Sequence, residues 1–121
     1  MLKFRAIDKR ENFKIIFTLQ ELSEPEPLFS IRELLKPWLS EGNMPDQYIG
    51  IEDIIKDEIY TGDILRKEDG RTCLVIPFHS PSYSGFDLKV INGTGSPPPQ
   101  YSLWRDWQII GNIHENPELI K

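Results

Sequence analysis

The stretch that decides the fold is Ile64-Leu65-Arg66-Lys67-Glu68-Asp69-Gly70-Arg71-Thr72-Cys73-Leu74-Val75-Ile76-Pro77-Phe78. Two runs of apolar and β-branched residues flank a polar segment that ends in Asp-Gly. Asp-Gly is a strong hairpin signal, because hairpin turns need positive φ and Gly supplies it without steric cost. The spacing predicts a strand from Ile64, a turn at Glu68-Asp69-Gly70, and a return strand over Arg71 to Phe78.

Working outward, the N-terminal side repeats the pattern. Leu2 to Ile7 alternates apolar and polar residues, Asp8-Lys9-Arg10-Glu11-Asn12 is a polar turn, and Phe13 to Leu19 is rich in aromatic and β-branched residues. Together they predict a second hairpin. Gln47 to Ile51 and Phe86 to Val90 read as further strands, and Trp104 to Ile110 as another.

Helical signals are few. Glu24-Pro25-Glu26-Pro27 is a breaker, and Ser30-Ile31-Arg32-Glu33 is a capping box. Ile31, Leu34 and Leu35 then share one helical face. This helix is expected to be short, because Pro37 disfavours helical geometry at Lys36. Trp38 and Leu39 are expected to fold over the core. Near the end, Asn116 fits an N-cap and Pro117 a first helical position, with Leu119 and Ile120 packing down. Pro77 to Ser84 is read as broken by its prolines and serines. Asn92 to Pro99 reads as a loop, flexible at its glycines and extended at its prolines.

The sum is mainly β, a β-rich α+β chain. The expected form is a small barrel-like or strongly twisted antiparallel sheet with one or two short helices. At 121 residues the chain fits one domain, 1–121. No apolar run approaches the roughly 20 residues needed to span a bilayer. The start has no apolar h-region, so no signal peptide and a cytoplasmic location are expected. Asn92-Gly93-Thr94 is then a chance glycosylation match.

The net charge of −5 argues against a non-specific grip on nucleic acid. The charge is uneven, however. Met1 to Ile16 holds five bases against two acids, a surplus of three, before the balance turns acidic between Glu21 and Glu58. Arg5, Lys9, Arg10 and Lys14 therefore form a candidate basic patch, although a hairpin with a solvated polar face is the commoner meaning of such a segment.

Catalytic chemistry finds little to work with. A single cysteine, Cys73, excludes an intramolecular disulfide and a cysteine-based zinc site; within an apolar strand it reads as a buried inert thiol. His79 and His114 stand 35 positions apart, with Ser80 and Ser82 beside the first. A Ser–His pair can be imagined there, but a polar residue where a strand meets a loop is the plainer reading. Glu52, Asp53, Asp57 and Glu58 read as a solvated acidic loop before a cation site. Gly62-Asp63 and Gly111-Asn112 read as fold-defining. Tyr101, Trp104 and Trp107 can offer stacking platforms for bases, or simply core. No catalytic residue, metal or cofactor is assigned.

Three blocks of the sequence resemble the YopX family. They are Phe4-Arg5-Ala6-Ile7-Asp8; Gln47-Tyr48-Ile49-Gly50 with Glu58-Ile59-Tyr60-Thr61-Gly62-Asp63-Ile64; and Ile110-Gly111-Asn112-Ile113-His114-Glu115-Asn116-Pro117-Glu118-Leu119. They fall in the family's order from Phe4 to Leu119. Ile7 stands where the family commonly has Trp, and His114 where it has Tyr, which speaks against proton transfer at that position. Glu52 to Asp57 replaces the family's usual Asn-Gly turn. The resemblance implies an accessory protein of phages and integrated elements in bacteria, with no enzymatic activity to carry over. Its expected role is a protein-interaction module with a host or phage protein as partner, and self-association through open sheet edges. The alternative is a nucleic-acid-associated regulator using the basic N-terminal hairpin.

Overall fold

The computed structural model describes residues 2–23, 31–79, 84–93 and 105–120. The strands are β1 (Lys3–Asp8), β2 (Phe13–Thr18), β3 (Asp46–Glu52), β4 (Glu58–Tyr60), β5 (Asp63–Arg66), β6 (Thr72–His79), β7 (Ser84–Asn92) and β8 (Gln108–Asn112). Two short helices, α1 (Leu19–Ser23) and α2 (Ile31–Ser40), lie between β2 and β3, and a 3-10 turn spans Pro117–Ile120. The protein is mainly β, with two four-stranded antiparallel sheets ordered β2-β1-β3-β4 and β7-β6-β5-β8. Among the described residues neither sheet closes on itself, which corrects the barrel expectation. Among these residues each order ends in two edge strands, so strand spacing alone does not imply closure. No helix among the described residues is long and apolar enough to cross a membrane.

The chain divides into two compact units, Met1–Tyr48 and Ile49–Lys121. In the first, β1 and β2 pair from Lys3↔Thr18 to Asp8↔Phe13. The turn is held by Asp8, whose Oδ1 accepts from the backbone N–H of Arg10 (2.9 Å) and Glu11 (3.2 Å). Ala6, Phe17, Leu35 and Trp38 form the core of this unit, with Phe4, Phe13, Ile15 and Ile31 against it. Phe4 stacks on Phe17 and Phe13 meets Trp38 edge-on, both favoured ring geometries.

Two helical expectations need correction here. Leu19–Ser23 is helical, although the sequence reads as strand through Leu19. Thr18 and Glu21 are a complete capping box: the Glu21 N–H donates to Thr18 Oγ1 (3.1 Å) and the Thr18 N–H to Glu21 Oε1 (3.0 Å). The Thr-x-x-Glu signature at Thr18–Glu21 starts this helix. In addition, α2 runs through Pro37 to Ser40. An interior proline costs a helix about 3 kcal/mol, and burial of Leu35 and Trp38 on either side of it outweighs that cost. Leu34 and Leu39 remain exposed. Ser30 and the Glu24–Pro27 breaker lie outside the described residues.

The second unit packs Ile49, Ile51, Ile59, Leu65, Cys73, Val75, Leu88 and Trp107 into one core. The β5–β6 hairpin pairs Arg66↔Thr72, Leu65↔Cys73 and Ile64↔Leu74. Its turn is not the two-residue type. Gly70 N–H donates to Lys67 O, Lys67 N–H donates to Arg71 O, and Gly70 has φ +94°. That is a three-residue loop, in which Gly alone takes the left-handed conformation.

β6 continues through Pro77 and pairs it with Phe86 of β7, where the sequence predicts a break. β5 pairs with β6 from Thr72 to Leu74, so among the described residues one side of β6 has no strand paired at Pro77. A proline is tolerated at such an edge. The strand predicted from Trp104 begins later, at Gln108. The loop at 94–99, Ser80 to Ser82, Tyr101 and Trp104 lie outside the described residues.

Candidate functional site

The four bases of the candidate patch do not share one surface. Arg5 is only 5% exposed, on the central side of the hairpin, and β3 places Asp46 opposite it in register. Its Nε (3.1 Å) and Nη2 (2.9 Å) both donate to Asp46 Oδ2. A buried guanidinium needs such a carboxylate, because an unpaired charge costs several kcal/mol to desolvate. Arg10 is exposed and ion-paired with Glu41, which holds its guanidinium charged. Lys9 and Lys14 are exposed. Lys3 lies 5.1 Å from the centroid of the Tyr48 ring, a cation–π contact.

The acidic loop is built around one buried carboxylate. Asp53 is 3% exposed. Its Oδ1 accepts from the N–H of Ile55 (3.0 Å) and Asp57 (2.9 Å), and its Oδ2 accepts from Ile109 N–H (2.9 Å) on β8. Asp53 N–H donates to Asp57 O and Lys56 N–H to Asp53 O, closing a turn in which Lys56 takes φ +74°. Lys56 is thus a lysine in a conformation that favours Gly or Asn. Glu52 and Asp57 are exposed, and Ile54 and Ile55 stand at the tip of the turn.

The remaining motif residues are spent on the backbone. Gly62 takes φ +88°, and buried Asp63 accepts from Tyr60 N–H at 2.8 Å. Asn112 Oδ1 accepts from the N–H of His114 and Glu115, and its Nδ2 donates to Glu115 Oε1. Asn116 turns its Oδ1 back to the Asn112 N–H (3.2 Å), where a forward cap was expected. Its side chain sits so close to Gly111 that a Cβ there would meet Asn116 Oδ1 at 2.6 Å. Ile120 stays exposed and the 3-10 turn buries none of its residues.

Cys73 is buried, and burial pushes its thiol pKa up, away from the reactive thiolate. The His79 side chain lies outside the described residues. Among the described residues no group of three or more His, Cys, Asp and Glu is placed to hold a metal.

Two further features stand out, and the first bears out the core reading of Trp107. Trp107 is fully buried, and Lys67 Nζ (6.0 Å) and Arg71 Cζ (5.5 Å) approach its ring centroid. Among the described residues, its Nε1 is the buried side-chain nitrogen or oxygen without a hydrogen-bond partner. Beside it an open cavity of about 470 Å³ is lined by Ile54, Arg66, Lys67, Glu68, Asp106 and Gln108 among others. Two cations and two acids there balance. Arg71 is engaged by Asp69, whose carboxyl is held below its usual pKa, first by the Arg71 backbone N–H and then by the guanidinium.

The other feature is apolar. Leu2, Ile16 and Leu19 are 45–51% exposed. Leu2, Thr18, Leu19 and Gln20 line an open notch of about 280 Å³ at β2, which ends its sheet. Periodicity cannot find such a site, since alternation marks Ile16 only as the outward face of a strand.

No curated protein matches the chain. The three sequence blocks now have structural roles, as a buried Arg5 on β1, the Gly62–Asp63 turn and the Gly111–Asn116 knot, and the family model described as "YopX protein" matches residues 3–121, so the chain belongs to the YopX family.

Proposed function

We propose that this YopX-family chain is a non-enzymatic protein-interaction module of a phage or integrated element, acting in the cytoplasm of the bacterial host on a host or phage protein. One observation carries the reading: among the described residues β2 is an edge strand of its sheet, and Leu2, Ile16 and Leu19 are exposed beside it. An edge strand with apolar neighbours is a template for another chain, supplying main-chain hydrogen bonds and a pocket for a side chain.

The test is capture from a bacterial lysate by the tagged chain, with and without nuclease. The expected result is a stoichiometric protein that survives nuclease and falls at least tenfold with Ile16→Lys or Leu19→Asp. Met44→Asp, at an exposed site outside the notch, should leave capture unchanged. Capture that ignores both Ile16→Lys and Leu19→Asp would remove this surface from the proposal.

The second reading, a nucleic-acid-associated regulator, is supported by the exposed Lys9 and Lys14. With Arg5 buried and Arg10 on Glu41, it rests on fewer free cations than the sequence offers. It expects nucleic acid to be recovered alone and lost at moderate salt.

A further inference from the structure

The β3–β4 turn presents two isoleucines side by side, Ile54 at 57% and Ile55 at 58% exposure. Turn tips are ordinarily polar, so two adjacent aliphatic side chains are an unusual display. The turn is also held in place. Asp53 binds the Ile55 and Asp57 amides from beneath, and the Ile54 N–H donates to Trp107 O at 3.0 Å. A knob fixed in this way loses little freedom on docking. Around it Glu52, Asp57 and the half-buried Glu58 outnumber Lys56, while in the cavity that Ile54 lines Arg66 and Lys67 are balanced by Glu68 and Asp106.

The notch at β2 has the complementary character. Its lining is mostly apolar and its volume, about 280 Å³, admits an isoleucine side chain. Lys14 lies on the same face of β2 as Ile16 and Thr18, and Lys3, whose ammonium lies over the Tyr48 ring, is opposite Thr18 in register. Glu21 is the acid at this border; its carboxylate accepts from the Thr18 N–H and keeps its charge, so two bases stand against one acid.

From the apolar match and the opposite charge around it, we infer that the Ile54–Ile55 knob of one copy seats in the Leu2–Thr18–Leu19–Gln20 notch of another. This rests on the proposed β2 contact surface and names a second copy of the chain as what meets it. Knob and notch are different surfaces, so the contact is head-to-tail. Each added copy leaves one knob and one notch free, giving a ring or an open chain of copies.

Sedimentation of the full chain over a range of concentrations tests this. The wild type should gain mass with concentration, less so at high salt. Ile54→Asp with Ile55→Asp should remove the association, and so should Leu19→Asp. These sites are exposed, and circular dichroism checks that each variant folds; Leu2→Asp replaces Leu19→Asp if the latter does not. The decisive step is mixing. The knob variant retains a good notch and the notch variant a good knob, so together they should form a 1:1 dimer that neither forms alone. A wild type that stays monomeric at high concentration, association insensitive to either variant, or no dimer on mixing would each overturn the inference. If the wild type is monomeric yet captures a lysate protein in a Leu19-dependent manner, the self-contact falls and the β2 contact surface stands.

Discussion

Arg5 shows how far one side chain can depart from its sequence context. It sits among four other bases, yet it is buried on Asp46 and contributes to packing. Arg5→Ala leaves the Asp46 carboxylate buried without its guanidinium, and should destabilise the fold by about 3–5 kcal/mol. Lys14→Ala, on the exposed face, should stay within about 0.5 kcal/mol. Denaturant unfolding of the two variants checks the contrast, and equal small effects would mean that Arg5 is not held as described. No local pattern distinguishes the two bases. The difference comes from β3, which begins 41 positions later at Asp46 and pairs with β1. For the same reason Asp53 reads locally as one acid in an acidic loop, although Ile109 reaches it from 56 positions away.

Among the elements, the strands were largely legible and the exceptions have physical causes. Alternation located both hairpins, β3 and β7. It missed α1, because Thr18-Leu19-Gln20-Glu21 continues a β-like run and only the capping box reverses it. It cut α2 at Pro37 and β6 at Pro77, where a residue's local preference yields to burial in one case and, among the described residues, to a strand side without a paired neighbour in the other. The β3–β4 turn offers a test of strain. Lys56 at φ +74° pays for a conformation that Gly takes freely. Lys56→Gly should therefore raise stability, by up to about 1 kcal/mol after the extra freedom it gives the unfolded chain. A thermal melt that moves down would show the lysine to be making a compensating contact. The candidate contact surface was the least legible part. Exposure of Leu2, Ile16 and Leu19 depends on what the fold leaves uncovered, and no spacing rule encodes that.

At the scale of the whole molecule, the mainly β class follows from the sequence, but closure into a barrel does not. Sheet order depends on pairings between distant strands, such as β5 with β8, and local patterning is silent on them. Cys73 reports on the second unit as a whole, since it lies in a core shared by Ile49, Leu88 and Trp107. Its thiol should resist a disulfide reagent in the native protein and react at a rate set by unfolding, rising as denaturant is added. Rapid native labelling would mean that this core opens locally.

The three amides gathered by Asp53 have one more consequence. Exposed turns ordinarily exchange their amide hydrogens with solvent deuterium almost as fast as an unfolded chain, while central strands exchange slowly. Ile55 and Asp57 belong to a turn and Ile109 to a strand, yet all three hydrogens point at one buried carboxylate. They should be released together, by a single opening, so that a segment at the tip of a loop keeps time with the sheet beneath it.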